Sequence, residues 1–228
     1  MKYVIIGLGV FGSSLAQKLT QSGNEVIGVD NKMNKVDAIK EKVTHAICLD
    51  STDPVAVTNL PLRDTDVVII CIGENEGANI MATALMKKLQ VKRLISRAVS
   101  PLHETILEAM GVDEIVHPEE ETADRWANRL DIYGVVDSFQ LTREYNIIEA
   151  AVPEKYVGKN LLELDFQEKF NVVVMSTLRI EEEKNLLGVN KKVKKVQGVA
   201  SASTVLKKDD ILVLYGNINN IKKLLAEG

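Results

Sequence analysis

The chain has 228 residues, of which 46% are hydrophobic and 26% charged, and its net charge at pH 7 is −4. This length allows one large core or two modest ones, and the mild acidic balance excludes the basic footprint of a nucleic-acid partner. The longest apolar run, 67–72, is too short to cross a bilayer, and the first predicted strand leaves no room for a signal peptide. We therefore expect a cytoplasmic protein.

The first thirty residues combine a strand, a glycine-rich turn, a helix and a second strand. Residues 3–6 are apolar, a Gly-x-Gly-x-x-Gly turn follows, and a helical period runs on to residue 22. This order is typical of a dinucleotide-binding βαβ unit, with phosphates on the free N–H groups at the helix start. The alternative is a turn whose glycines serve packing alone. The candidate phosphate-binding residues are Gly7, Gly9, Val10, Phe11 and Gly12.

Asp30 ends the second predicted strand, 25–30. A carboxylate at this position can accept hydrogen bonds from ribose hydroxyls and repels a 2′-phosphate. The sequence therefore predicts NAD or another adenosine nucleotide rather than NADP.

The pattern of strand and helix continues to residue 117. We predict helices at 33–42, 54–60, 78–89 and 101–111, and further strands at 46–49, 66–72, 93–97 and 114–117. Asp53 before Pro54 and Ser100 before Pro101 are predicted N-caps. Six strands alternating with helices predict an α/β fold, a Rossmann-like doubly wound parallel sheet.

Ligands bind such a sheet beyond the carboxyl ends of its strands. Asp50 and Ser51 could contact an adenine or ribose edge there, beside the glycine loop that starts at Gly73. Arg97 could pair with a phosphate, and Glu119 could hold a divalent cation that bridges phosphates. The alternatives are a surface ion pair for Arg97 and a helix-start role for Glu119.

Cys48 and Cys71 each lie in an apolar strand pattern, on strands that the βαβ order separates. We therefore predict two buried, reduced thiols rather than a disulfide or a metal site.

The composition changes after Gly134. A helix continues through 124–131 and carries Trp126, and we expect it to cross onto a neighbouring copy. Beyond it we predict strands at 135–141, 145–152, 172–179 and 211–215, a helical turn at 161–164, a solvated turn at 181–184, an exposed strand edge or loop at 191–195 and a terminal helix from 219. The predicted domains are a nucleotide-binding domain, 1–134, and a small α+β domain, 135–228.

Together these motifs resemble the RCK (KTN) family, the cytosolic regulatory subunits of Ktr and Trk potassium-uptake systems. The resemblance covers the whole chain, and its specificity lies in the combination of motifs. The segments that carry it are the glycine turn at 7–12, Asp30, 50–52, 96–98, 107–119 and 208–216.

The resemblance implies dimers that assemble into an octameric ring on the cytoplasmic face of a membrane potassium channel or transporter. It implies ATP, ADP or NAD(H) at the glycine loop, with Glu119 holding a divalent cation beside the nucleotide. Ktr subunits often carry arginine, which reaches a terminal phosphate, where this chain has Val10, so strong discrimination of ATP over ADP is not expected and ADP or NAD gains weight. The residues that match ligand positions of the family are Gly7, Gly9, Gly12, Asp30, Asp50, Ser51 and Arg97.

The resemblance also implies a second ligand, cyclic di-AMP, at an interface between second domains. Leu161 and Leu162 match the apolar pair of such sites, but Gln167 stands where the arginine would be. This ligand is therefore expected only with a weakened site.

Two other functions are compatible with the residues. The first is an NAD-dependent oxidoreductase, which needs a general acid or base, and the histidines are His45, His103 and His117. No histidine or cysteine follows residue 134, which makes the second domain a poor catalytic partner. The second is a ligand-binding interaction module without a transporter partner.

Overall fold

The computed structural model describes residues 1–142, 144–184 and 190–228, with the backbone alone at 183, 184, 190 and 191. Internal contacts divide the chain into two compact units, Met1–Glu119 and Glu120–Gly228. Helix α6, Pro118–Asp131, contains this division. The functional domain boundary after residue 134 stays a prediction.

The first unit is built on a six-stranded parallel sheet with the order β3-β2-β1-β4-β5-β6. This order reverses direction beside β1, so the switch point of the sheet lies between β1 and β4. The predicted doubly wound fold is confirmed. The strands are β1 (Lys2–Ile6), β2 (Glu25–Asp30), β3 (His45–Cys48), β4 (Val67–Ile70), β5 (Leu94–Arg97) and β6 (Glu114–Val116).

Helices cover both faces of this sheet. Residues of α1 and α2 pack with one set of inward side chains, including Ile5 and Val26, and residues of α3 and α4 pack with the opposite set, including Val4 and Ile6. Burial on both faces explains the continuous apolar run of β4. The helices are α1 (Val10–Gln21), α2 (Met33–Ile39), α3 (Pro54–Val57), α4 (Glu76–Lys88) and α5 (Pro101–Ala109), with a short 3₁₀ turn at Leu62–Asp64.

Side chains cap several of these helices. Asp53 accepts a hydrogen bond from the N–H of Val55, and Ser100 accepts one from His103, so both predicted N-caps are confirmed. Asn75 accepts from the N–H of Ala78 and starts α4 two residues earlier than the sequence predicts.

The second unit contains a five-stranded antiparallel sheet in the order β10-β9-β11-β8-β7. Inward residues of β8 and β11 form its core with α7, α8 and α9, around Ile148, Leu212 and Leu224. Its elements are β7 (Val135–Gln140), β8 (Tyr145–Ala151), a 3₁₀ turn at Glu154–Tyr156, α7 (Leu161–Leu164), α8 (Phe166–Phe170), β9 (Val172–Lys184), β10 (Asn190–Val199), β11 (Asp210–Asn217) and α9 (Ile218–Glu227).

The solvated turn predicted at 181–184 is wrong, because these residues extend β9 to Lys184. The acidic run lies opposite the lysine-rich run of β10, with Glu181 beside Val193 and Glu182 beside Lys192 in the register. Glu181 also forms an ion pair with Lys195, so opposite charges on the two strands favour this pairing. The lysine run at 191–195 lies on an edge strand, as predicted.

One further prediction needs correction. Cys71 is buried, but Cys48 is exposed, because β3 is an edge strand of the sheet and is not covered there.

Helix α8 was not predicted. Asp165 ends α7 and Asn171 ends α8, with left-handed φ angles of 47° and 53°.

In the described part of the chain, the helices are all too short or too polar to span a bilayer.

Candidate functional site

The turn between β1 and α1 needs glycine at its two ends for packing. Gly7 has a φ of 97°, and a Cβ there would lie 2.8 Å from the backbone nitrogen of Ile72. A Cβ on Gly12 would lie 2.0 Å from the carbonyl oxygen of Gly7. The first and third glycines therefore hold the helix against the sheet, as both the functional and the packing interpretation require.

Gly9 behaves differently. Its φ of −68° suits any residue, and an added Cβ would have no non-adjacent heavy atom of the described chain within 4 Å. No side chain among the described residues caps α1 at this point, and the side chain of Val10 is 92% exposed. Phe11 is partly buried against the core. The second glycine thus faces open space over the N–H groups of the helix start.

Asp30 lies directly beside this turn and is 7% exposed. One carboxylate oxygen accepts a hydrogen bond from the N–H of Leu8 over 2.7 Å, and the other accepts from the N–H of Lys32 over 2.9 Å. The carboxylate therefore fixes the glycine turn relative to the end of β2. Each oxygen keeps a second lone pair for a ligand hydroxyl.

Asp50 and Ser51 follow β3, whose last residue, Cys48, lies beside Asp30 in the register. Asp50 accepts hydrogen bonds from the hydroxyl and the N–H of Thr52, and these bonds lower the pKa of its carboxyl. Ser51 is buried. Both residues therefore lie at the same edge of the sheet as Asp30, with the Asp50 carboxylate turned into its own loop.

Arg97, at the end of β5, lies across Gly73. A Cβ on Gly73 would be 2.5 Å from a terminal nitrogen of the guanidinium, so a side chain there would require the end of Arg97 to shift. Glu119 accepts a hydrogen bond from the guanidinium over 2.5 Å. The Arg97 side chain is only 16% exposed, and its Nε has no hydrogen-bond partner among the described residues. Arg97 is therefore a largely buried cation that forms an ion pair with an exposed carboxylate.

The Glu119 side chain is 67% exposed, and its carboxylate forms an ion pair with Arg97. The described residues contain no group of three or more His, Cys, Asp or Glu side chains that could hold a metal ion. A cation at Glu119 would therefore need most of its ligands from phosphate oxygens and water.

Four residues beside the site were missed in the sequence. Asn79 is fully buried and donates hydrogen bonds to the carbonyls of Ile72 and Arg97, which ties the ends of β4 and β5 together. A polar residue on the apolar face of α4 was the available signal. Glu74 forms ion pairs with Lys32 and Lys35, each over 3.2 Å. Nothing in the spacing of these charges indicated that they meet.

An open glycine turn beside a buried carboxylate, at the switch point of a doubly wound sheet, defines the class of Rossmann-type proteins. Residues 3–118 match the TrkA-N domain family. The chain is 33% identical over 222 residues to Ktr system potassium uptake protein C of Bacillus subtilis (strain 168), covering 97% of this chain and 95% of that protein. The chain belongs to the TrkA-N family of Ktr-type potassium uptake proteins, as its resemblance implied.

Two solved structures have the same fold. The GsuK RCK domain superposes with a TM-score of 0.66 at 15% identity, covering 100% of this chain and 48% of that chain. The GsuK channel bound to NAD superposes with a TM-score of 0.65 at 15% identity, covering 98% of this chain and 39% of that chain. The chain thus spans about half, or less, of these larger proteins.

Proposed function

We propose that this protein is a nucleotide-binding regulatory subunit that gates a membrane potassium channel or transporter, which it does not itself form. The observation that carries the nucleotide site is Gly9, where glycine has no packing role and leaves the backbone open at a helix start. The similarity to a potassium uptake protein over 95% of that protein's length supports the potassium pathway.

The ligand of this site is ATP, ADP or NAD(H). The pyrophosphate lies over Gly7, Gly9 and Gly12 at the start of α1, where free N–H groups favour negative charge. The carboxylate of Asp30, ordered by Leu8, accepts from the ribose hydroxyls. Val10 offers no charge for a terminal phosphate, so ADP and NAD bind at least as well as ATP.

The remaining site residues lie around this position. Asp50 and Ser51, after β3, would lie beside the adenosine part of the nucleotide. Phe11 belongs to the glycine turn and Gly73 to the loop after β4, which would flank the ligand. The guanidinium of Arg97, whose side chain is 16% exposed, would pair with a phosphate. When a phosphate takes Arg97, the Glu119 carboxylate is released and can hold a divalent cation, with phosphate oxygens as its other ligands.

Calorimetry tests the site and the cation together. The parent protein should bind ADP and NAD, and magnesium should strengthen ADP binding in the parent but not in Glu119→Gln. Glu120→Gln, one residue further along α6, is the matched control. Cyclic di-AMP belongs in the same titrations, because Leu162 is 73% exposed while Gln167 replaces the expected arginine.

The gating output requires a partner. A ligand shifts a conformational equilibrium only by its difference in affinity for the two states, and coupling of about 1–3 kcal/mol changes activity roughly 5- to 150-fold. Potassium or rubidium flux should be measured in vesicles that contain the membrane subunit of a Ktr-type potassium uptake system, with this protein added and nucleotides exchanged. Flux that ignores both this protein and its nucleotide would overturn the gating function. As a gating subunit, the protein would act at the inner face of the cell membrane, held there by its membrane partner.

We further propose that the protein self-associates through α6. None of the residues of α6, all of them described, is buried, and Trp126 and Leu130 are 50% and 78% exposed. A cavity of about 790 Å³ lies beside the helix, between Trp126 and Phe139. A second copy of the chain would cover these apolar side chains, in dimers that close into an octameric ring.

The function is regulatory rather than enzymatic. His103 is fully buried, and this burial lowers its pKa, while the Nε2 of His117 lies 3.4 Å from a carboxylate oxygen of Glu104. His45, the third histidine, is exposed at the start of β3, an edge strand of the sheet. Sustained oxidation of NADH by a small carbonyl compound, abolished by a change in the glycine turn, would support the oxidoreductase alternative instead.

A further inference from the structure

Four charges meet at the ribose end of the proposed site. The Glu74 carboxylate, in the loop after β4, lies 3.2 Å from the Nζ of Lys32 and 3.2 Å from the Nζ of Lys35. Lys35 Nζ also lies 4.0 Å from a carboxylate oxygen of Asp30. Two segments that follow different strands are thus joined by ion pairs directly beside the ribose-binding carboxylate.

The two lysines have the position and charge of residues that bind the 2′-phosphate of NADP. Cations just after β2 accommodate the 2′-phosphate of NADP, whereas a carboxylate at the end of β2 selects the 2′-hydroxyl of NAD. Lysine binds phosphate as a point charge, and Lys35 is only 24% exposed, so its ammonium group has little freedom to move. The charges beside Asp30 would therefore suit a 2′-phosphate if they were free.

Glu74 keeps them occupied. Its carboxylate lies 3.2 Å from each ammonium group, and hydrogen bonds from Lys35 and then Lys32 lower the pKa of the carboxyl. A 2′-phosphate would have to displace this carboxylate and would also meet Asp30. A 2′-hydroxyl needs neither step.

We propose that Glu74 is a specificity-determining residue of the nucleotide site, which holds Lys32 and Lys35 and so restricts the site to nucleotides with a free 2′-hydroxyl. This inference rests on the proposed nucleotide function and assigns to the loop after β4 a role in ligand choice. Asp30 and Glu74 then act together, one by repelling the 2′-phosphate and the other by occupying the cations that would attract it.

The test compares NAD⁺ with NADP⁺, which differ only in the 2′-phosphate, by calorimetry at low salt. Glu74→Gln should raise the affinity for NADP⁺ about tenfold, while NAD⁺ affinity changes little. The gain is limited because the ion pairs are solvent-exposed. Glu76→Gln is the matched control, since it removes the same charge from an exposed position two residues away. Adding Lys35→Gln to Glu74→Gln should abolish the gain.

An unchanged ratio of NADP⁺ to NAD⁺ affinity in Glu74→Gln would overturn the proposal, and so would an equal gain in Glu76→Gln. Either result, with NAD⁺ still bound by every variant, leaves the proposed nucleotide function intact. Failure of the parent to bind NAD⁺, ADP or ATP would overturn both.

Discussion

The carboxylate of Asp30 accepts a hydrogen bond from the backbone N–H of Leu8 over 2.7 Å, across the gap between the end of β2 and the glycine turn. One side chain thus orders the phosphate-binding loop and presents its remaining lone pairs to a ribose. Because Asp30 has both tasks, its replacement should affect stability and ligand affinity together.

Asp30→Ala should weaken ADP and NAD binding by about 1–3 kcal/mol, the range for lost hydrogen bonds to charged groups and unpaired buried donors. It should also lower the free energy of unfolding, because the Leu8 N–H loses its acceptor. Asp30→Asn retains one oxygen acceptor, so its loss of unfolding free energy should be smaller than its loss of binding free energy. Calorimetry and urea unfolding measure the two effects, with Asp37→Asn on the exposed side of α2 as control. Parental affinity in both Asp30 variants would contradict the ribose assignment.

Gly9 and Gly12 should separate binding from folding. Gly9→Ala has room for its methyl group and should change stability by less than about 0.5 kcal/mol, yet it should weaken nucleotide binding because the methyl group obstructs the approach to the backbone. Gly12→Ala forces a contact with the Gly7 carbonyl and should cost at least about 1–3 kcal/mol of stability. Thermal unfolding and nucleotide titration distinguish these outcomes. Undiminished binding by Gly9→Ala would favour the packing interpretation of the turn.

Charged replacements on α6 should disrupt self-association. Trp126→Glu together with Leu130→Glu places two charges on the exposed apolar positions of the helix and should reduce the mass measured by light scattering at micromolar concentration. Val55→Glu, at an exposed apolar position of α3, should leave the mass unchanged. Circular dichroism checks that each variant is folded. A parent that is monomeric with and without nucleotide would refute the proposed assembly.

The two thiols should react very differently. Burial raises the pKa of Cys71 to about 12, so its thiolate is scarce at neutral pH and its sulfur is inaccessible. Cys48 is exposed. Alkylation of the native protein at pH 8, followed by mass spectrometry, should modify Cys48 alone, and both thiols should react in denaturant. Rapid native labelling of Cys71 would mean that the sheet opens at β4.

The ion pair between Arg125 and Asp137 should make stability depend on pH. The Arg125 hydrogen bond, opposed by burial, holds the pKa of Asp137 below its ordinary value of 3.8. The unfolded chain then binds the proton more tightly, so the stabilisation is present above pH 4 and is lost as the pH falls through the folded pKa. Asp137→Asn should lower the free energy of unfolding at pH 7 by about 1 kcal/mol or less, because Arg125 is 60% exposed.

This difference from the parent should shrink below pH 4 in urea unfolding experiments. Asp209→Asn, at an exposed position of the same unit, should show no such trend. A difference independent of pH would assign the effect of Asp137→Asn to packing.

The local patterns determined the first unit nearly completely. The alternation of apolar strands with helical periods, the proline-flanked caps at Asp53 and Ser100 and the spacing of the three glycines are all properties of neighbouring residues. They specified the parallel sheet, the glycine turn and Asp30 beside it, because short-range sterics and hydrophobic periodicity act within a segment.

The tertiary structure decided which segments meet. Whether a strand is central or at an edge depends on strand order, and this exposes Cys48 while it buries Cys71. The pairing of the acidic run of β9 with the lysines of β10 depends on register. Likewise, Glu74 pairs with Lys32 and Lys35 only because the segments after β2 and β4, the two strands on either side of β1, meet at the carboxyl edge of the sheet. Charged side chains carry no periodic signal of their partners, since their contacts arise from the folded geometry and not from the residues beside them.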